Sequence, residues 1–208
     1  MPGVDPVVLV PVKAFADAKA RLAPVLSPAH RAALARWTAE RVVAAAGEAP
    51  VFVACDDEVV AEWATGRGAT VLWHPGVGLN AAVTRSVADL RDRGVRHVVV
   101  AHGDLPRATA LIGVAVERCV TLVPDAAGDG TNVLSLPTDL PFEFAYGPGS
   151  FLRHLSQSVQ AGFAVMVRHD PLLCIDLDVP SDLAHPLVQE VLPSWLPTNP
   201  ANPTPHPR

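Results

Sequence analysis

The stretch Val98-Val99-Val100-Ala101-His102-Gly103-Asp104-Leu105-Pro106 decides the fold class of this 208-residue chain. It opens with a continuous apolar run, which is typical of a strand buried on both faces. It ends in a carboxylate that Leu-Pro follows. In open α/β sheets, ligands bind beyond the carboxyl ends of such strands. The stretch therefore predicts a buried strand with Asp104 beside a ligand site.

The rest of the chain continues this alternation of strand and helix. Apolar runs at 7–10 and 51–55 predict strands, and Ser27-Pro28 predicts the start of a helix. Further strands are predicted at 71–73, 120–123, 133–136, 142–146, 164–167 and 173–177, and further helices at 59–65, 80–93 and 149–161. We predict one α/β domain over residues 1–192, with a mixed, mostly parallel sheet flanked by helices.

Composition excludes several classes of protein. Half of the residues are hydrophobic and 18% are charged, so most of the chain is not intrinsically disordered. No apolar run reaches the roughly 20 residues that span a bilayer, so we expect no membrane partner. Three scattered cysteines and an N-terminus without a basic region predict a reduced, cytoplasmic protein rather than a secreted or zinc-binding one. The net charge of −5 disfavours nucleic acid as a partner.

The end of the chain has a different composition. Six of the 21 prolines lie in residues 193–208. We predict an extended, largely disordered tail there, which is either an overhang or a ligand for another domain.

The positive charge is concentrated near the N-terminus. Residues 1–41 carry a net charge of +3, and the remainder carries −8. The only two lysines, Lys13 and Lys19, share the loop after the first strand with Arg21. Three cations on one loop suit a polyphosphate, although an ordinary solvated loop is the alternative. The chain has no GxxxxGK[ST] motif, so this loop is not a P-loop.

Three aspartates form a candidate cation site. Asp176 and Asp178 are two residues apart in an apolar stretch, and on an extended chain they point to the same side. Buried carboxylates are costly without a compensating cation, and Mg²⁺ prefers such oxygen ligands. Together with Asp104 they predict a magnesium site. The alternative is that all three cap the helices that begin near Pro106 and Pro180.

Two glycine-rich segments, 125–132 and 147–151, complete the set of candidate binding loops. Backbone N–H groups at a helix start attract anions, and glycine lets an anion approach closely. Thr131 and Ser150 would add hydroxyl donors, although ordinary turns use the same residues. With the cationic loop and the aspartates, these segments predict two phosphorylated ligands. His102 is expected to line the same site, and the absence of Gly-x-Ser-x-Gly disfavours a serine hydrolase.

Read in order, these motifs resemble the CofC/FbiD guanylyltransferases of coenzyme F420 biosynthesis. The resemblance covers about residues 7–187 and rests on the blocks Pro11–Lys13, Ala18–Pro24, Gly78–Asn80, Gly103–Pro106, Asp125–Asn132, Gly147–Phe151 and Asp176–Leu183. It implies one Rossmann-like nucleotidyltransferase domain of the glycosyltransferase-A type. It also implies GTP and Mg²⁺ as requirements, and transfer of GMP to phosphoenolpyruvate or 2-phospho-L-lactate.

The resemblance also implies roles for individual residues. It implies that Asp104, Asp176 and Asp178 hold the metal, and that Thr131, Gly147 and Ser150 bind phosphoenolpyruvate. We expect Lys13, Lys19 and Arg21 to hold the triphosphate, and Gly78 and Asn80 to contact the base or ribose.

Three alternatives stay open at this point. They are 2-phospho-L-lactate or 3-phosphoglycerate as acceptor, a nucleotidyltransferase acting on a molybdenum cofactor, and a non-catalytic nucleotide-binding module. The missing Gly-x-Gly-x-Arg-Met loop speaks against the second. A homodimer stays open as the assembly.

Overall fold

Strands and helices alternate along the chain and build one seven-stranded sheet in the computed structural model, which describes residues 5–197. The strands are β1 (Val7–Pro11), β2 (Val51–Cys55), β3 (Thr70–Trp73), β4 (His97–Ala101), β5 (Cys119–Pro124), β6 (Thr131–Pro137) and β7 (Ala164–Val167). The α-helices are α1 (Pro28–Ala44), α2 (Glu58–Gly66), α3 (Gly78–Asp92), α4 (Ser150–Gln160) and the short α5 (Pro186–Gln189).

The strand order, β3-β2-β1-β4-β6-β5-β7, confirms the predicted mixed and mostly parallel sheet. Only β6 among these seven strands runs against its neighbours, β4 and β5. The chain leaves β1 for β2 on one side and later crosses to β4 on the other side, so the order reverses between β1 and β4. Ligands bind at such a reversal in open α/β sheets.

The core lies on both faces of this sheet because β1 is apolar at every position. Val7 and Leu9 pack with α3 on one face, and Val8 and Val10 pack with α1 on the other. The central strands β1 and β4 are therefore covered on both sides, as their continuous apolar runs predict. Ser27 starts α1 as predicted, because its hydroxyl accepts a hydrogen bond from the His30 backbone N–H at 3.2 Å.

The segment at residues 142–146 is not a strand, contrary to the sequence prediction. Its alternating aromatic residues suit a strand, but side chains of α3 and α4 pair its backbone instead. The Asn80 amide binds the N–H and C=O of Tyr146, and Gln157 binds both groups of Glu143. The segment thus satisfies its hydrogen bonds without joining the sheet.

The segment at residues 173–177 is also not a strand. It begins in a turn, in which the Cys174 N–H donates to the Asp170 carbonyl at 2.9 Å. Beyond the turn, the Leu177 N–H donates to the Asp104 carbonyl at 3.1 Å. That contact ties this segment to the loop after β4 and brings its aspartates towards Asp104.

The packed part of the chain extends past the domain boundary predicted at residue 192. Leu196 is only 4% exposed and belongs to a cluster with Leu22, Leu26 and Leu177. Because this segment is rich in proline, its composition does not indicate that Leu196 packs against the domain. Residues 198–208 of the predicted tail lie outside the described residues. Within residues 5–197, no helix is long and apolar enough to cross a membrane.

Candidate active site

A cleft of about 500 Å³ opens beyond the carboxyl ends of β1, β2, β3 and β4. This volume suits a small organic ligand. One end carries charged side chains from the loops after β1 and β4 and from the segment after residue 177: Lys13, Lys19, Arg21, Asp104 and Asp178. The structure therefore brings these five predicted residues together in one cleft, and their roles stay predictions.

Lys19 lies at the centre of the charged end. Its ammonium group is 3.1 Å from Asp104 Oδ2 and 3.8 Å from Asp178 Oδ1, and its side chain is 5% exposed. Its backbone is left-handed, with φ of +56°. A non-glycine residue in that conformation costs roughly 1–3 kcal/mol, which the two ion pairs offset. The loop is therefore folded so that one buried ammonium bridges two carboxylates.

The other two cations of the loop are open to solvent. Arg21 Nη1 lies 3.1 Å from Asp178 Oδ2, and the arginine side chain is 71% exposed. Lys13 is exposed and lines the cleft. These two side chains can reach an anionic ligand at little desolvation cost.

Asp104 is held ionised, yet one of its oxygens has no partner. Burial, the largest single influence, raises the pKa of this carboxyl, but the Lys19 charge, His102 and hydrogen bonds together outweigh burial and hold the pKa below its usual range. Oδ1 is buried and accepts no hydrogen bond within the described residues. An orphaned, ionised oxygen in a ligand cleft is suited to coordinate a cation.

The three aspartates are near each other but not assembled into a metal centre. Within residues 5–197, no group of three or more His, Cys, Asp or Glu side chains is arranged to hold an ion. Lys19 lies between Asp104 and Asp178, and Asp176 is not among the cleft-lining residues. Burial, followed by the charge of Asp104, raises the pKa of Asp176 to about 6. The metal roles of the three residues stay predictions.

The two glycine-rich segments meet close to this end of the cleft. The Asn132 carbonyl accepts a hydrogen bond from the His102 N–H at 3.0 Å, so the start of β6 lies beside the loop that carries Asp104. The Ser150 hydroxyl donates to Thr131 Oγ1 at 3.4 Å, and the Ser150 N–H donates to the Gly147 carbonyl. Thr131, Gly147 and Ser150 are thus brought together, with both hydroxyls buried. Their acceptor role stays a prediction.

His154 organises these loops, although the sequence analysis gave it no role in the site. Its Nε2 accepts the Ala145 N–H at 2.9 Å, so Nδ1 carries the proton and donates to Thr131 Oγ1 at 3.0 Å. Burial lowers the pKa of this fully buried imidazole to about 4, which keeps it neutral. The Tyr146 ring packs edge-on against His154 and at a tilt against His102, and so connects the loops to the cleft. The only sequence feature that points to His154 is that a histidine occupies a core-facing position of α4.

The predicted nucleotide contact of Asn80 is not what the structure shows. Asn80 does not line the cleft, because its amide is occupied by Tyr146: Oδ1 accepts the Tyr146 N–H at 2.7 Å and Nδ2 donates to the Tyr146 carbonyl at 3.3 Å. Gly78 does line the cleft, with φ of +73° at the first residue of α3. Its nucleotide role stays a prediction.

Asn80→Ala should lower the free energy of unfolding by about 1–3 kcal/mol, because it leaves both backbone groups of Tyr146 without their partner. Urea denaturation at neutral pH measures this loss. Thr84→Ala on the same helix removes only a local hydroxyl-to-carbonyl bond and should change stability by about 0.5 kcal/mol or less. Equal losses in the two variants would contradict a structural role of the Asn80 amide in holding the Tyr146 backbone.

Two solved structures show the same fold as this chain. A candidate nucleotide-diphospho-sugar transferase from Desulfovibrio desulfuricans G20 matches with a TM-score of 0.71 and 17% identity, over 86% of this chain and 84% of that one. A nucleotidyl transferase from Methanothermobacter matches with a TM-score of 0.57 and 19% identity, over 86% and 94% of the two chains. Both structures share the α/β fold of this chain.

Sequence comparison identifies the family to which this chain belongs. The chain belongs to the family described as "Guanylyl transferase CofC like", whose model matches residues 6–189. The phosphoenolpyruvate guanylyltransferase of Rubrobacter xylanophilus is 41% identical over 85% of this chain and 90% of its own. The relative of the same name from Sphaerobacter thermophilus is 34% identical over the same shares. The predicted family, fold and enzyme class are confirmed.

Proposed function

We propose that this protein transfers GMP from GTP to the phosphate of phosphoenolpyruvate, for coenzyme F420 biosynthesis in the cytoplasm. One observation carries the proposal: buried Lys19 bridges Asp104 and Asp178 in the cleft at the strand-order reversal. The names of the relatives support the choice of acceptor. The products are enolpyruvyl-2-diphospho-5′-guanosine and pyrophosphate.

The chemistry requires no covalent enzyme intermediate. A phosphate oxygen of the acceptor attacks the α-phosphorus of GTP and forms the new P–O bond. The bond from the α-phosphorus to the oxygen that bridges it to the β-phosphorus breaks in line, and pyrophosphate leaves with that electron pair. Such transfers depend mainly on positioning and charge neutralisation. Lys13, Lys19 and Arg21 neutralise the triphosphate and the departing pyrophosphate.

The residues of the cleft fit a divalent cation. The unpartnered Oδ1 of Asp104 supplies one oxygen ligand, and the raised pKa of Asp176 reflects burial and nearby negative charge that a cation would relieve. Magnesium typically takes one or two carboxylates together with substrate phosphates, so a complete protein cage is not needed. We assign Asp104, Asp176 and Asp178 to this cation, which would neutralise charge on the transferring phosphate.

The acceptor is assigned to the loops that β6 and α4 bring together. The N–H groups of Ser150 and Phe151 are already paired with backbone carbonyls, so we assign the acceptor phosphate to the loop at Gly147 that precedes α4. Thr131 and Ser150 shape this position, and neutral His154 fixes the orientation of the Thr131 hydroxyl. The acceptor would then lie next to Asp104 through the contact between His102 and Asn132.

Incubating the protein with Mg²⁺ and GTP, together with phosphoenolpyruvate, 2-phospho-L-lactate or 3-phosphoglycerate in separate reactions, tests the proposal. We expect pyrophosphate release and a diphosphoguanosine product, identified by its mass, with phosphoenolpyruvate. Product from 2-phospho-L-lactate alone would reassign the acceptor within the same reaction. No pyrophosphate with any acceptor would support a non-catalytic nucleotide-binding module instead.

A further inference from the structure

The end of the cleft away from the cations carries a carboxylate that the proposed mechanism does not use. Asp56 directly follows β2, is exposed and lines the cleft. The Gly76 N–H donates to its Oδ2 at 3.3 Å, which fixes the side chain against the loop between β3 and α3. Within residues 5–197, Asp56 forms no ion pair and accepts no other hydrogen bond. Its Oδ1 is therefore available to a ligand.

Asp56 lies at the end of the cleft that would hold the base of a nucleotide whose phosphates contact the cationic loop. Asp104 follows β4 and Asp56 follows β2, so two strand spacings, on the order of 10 Å, separate the loops that carry them. A nucleotide whose phosphates contact Lys19 and Arg21 extends its base along the cleft towards β2 and β3. The walls there are mostly small and apolar, which leaves room for a planar ring: Ala35, Ala39, Ala54, Leu79 and Ala82.

We propose that Asp56 selects guanine by accepting hydrogen bonds from its N1–H and its 2-amino group; this inference rests on the proposed guanylyl transfer. An ionised carboxylate only accepts hydrogen bonds, and its two oxygens can meet two adjacent donors. Guanine presents two adjacent donors on this edge. Adenine presents an acceptor at N1 and would be repelled. A guanylyl transferase therefore gains discrimination from a carboxylate at this end of its cleft.

Asp17 is the other cleft-lining carboxylate without an ion pair in the described chain. It lies between Lys13 and Lys19 on the loop after β1, one strand away from the loop that carries Asp56. Asp56, and not Asp17, is fixed at the end of β2 against the loop between β3 and α3, where we place the base. Asp17 is therefore a matched control: the same charge change in the same cleft, without a contact to the base.

The test compares the dissociation constants of GTP and inosine triphosphate, which lacks the 2-amino group, by calorimetry with Mg²⁺ and no acceptor. The wild-type protein should bind GTP about 10- to 100-fold more tightly, as expected for hydrogen bonds to a charged group. Asp56→Asn should bring the two constants within about threefold of each other, because its amide can accept from only one of the two donors. Asp17→Asn should keep the wild-type ratio.

Each of the other outcomes would contradict the assignment of Asp56 for a different reason. If Asp56→Asn weakens both nucleotides equally, the carboxylate contacts the ribose or shapes the cleft and does not select the base. If the wild-type protein binds both nucleotides equally, base selection by Asp56 fails while guanylyl transfer stands. If the wild-type protein binds neither nucleotide, the proposed function fails and the base contact fails with it. Melting temperatures of the variants show whether a change in the ratio of the two dissociation constants results from misfolding.

Discussion

Asp104→Asn should lower kcat by about 100- to 1,000-fold, the cost of removing one preorganised charged group from a phosphoryl-transfer site. The amide matches the carboxylate in shape, and its oxygen can still accept the Lys19 hydrogen bond. It removes the negative charge and the unpartnered oxygen that we assign to the cation. Pyrophosphate release at saturating GTP and acceptor measures the loss.

A surface variant controls for the change in charge. Asp92 lies at the end of α3, its side chain is 73% exposed, and it pairs only with the adjacent Arg91. Asp92→Asn should keep wild-type turnover, and both variants should melt within a few degrees of the wild-type protein. Near-normal turnover of a folded Asp104→Asn protein would contradict the assignment of the carboxylate.

The sequence is sufficient to predict the central strands and the residues at their carboxyl ends. The apolar run before His102 is typical of a buried strand, and the parallel order of β1 and β4 then brings Lys19 to Asp104. Those predictions depend on local pattern and on a topology rule, both of which act over short stretches of chain.

One wrong strand prediction occurs where side chains replace a sheet partner. Residues 142–146 alternate as a strand would, but Asn80 and Gln157 bind their backbone from two helices, over separations of 66 and 14 residues along the chain. Local pattern cannot show whether a backbone N–H will meet a carbonyl or an amide side chain. The same limit explains Asn80 itself, because a polar residue in a motif that resembles a binding loop is here a structural clamp.

The burial of Lys19 could also not be predicted from the sequence. A loop with three cations does not show which side chain is buried, and here Lys19 is 5% exposed and Arg21 is 71% exposed. Lys19 has a left-handed backbone and two carboxylate partners, whereas Arg21 has one. Because burial makes a charge depend on its partners, the two cations should respond very differently to substitution.

Lys19→Ala should lower kcat/KM for GTP on the order of 100-fold, because it removes the preorganised cation at the charged end of the cleft. It should also lower the free energy of unfolding by about 3 kcal/mol, since it leaves two carboxylates without their shared partner. Arg21→Ala is the matched control on the same loop. Its exposed ion pair contributes about 0–1 kcal/mol, and we expect a correspondingly small loss of stability.

Magnesium distinguishes this arrangement from an ordinary structural ion pair. In the wild-type protein, the Lys19 ammonium repels a second cation from Asp104 and Asp178. Lys19→Ala removes that repulsion, so the variant should bind Mg²⁺ more tightly and gain more thermal stability from it than the wild-type protein does. Melting curves with and without Mg²⁺ measure both shifts, and Arg21→Ala should resemble the wild-type protein. A smaller magnesium shift in Lys19→Ala than in the wild-type protein would show that these carboxylates do not hold the cation, because removing a competing ammonium can only strengthen a site that they form.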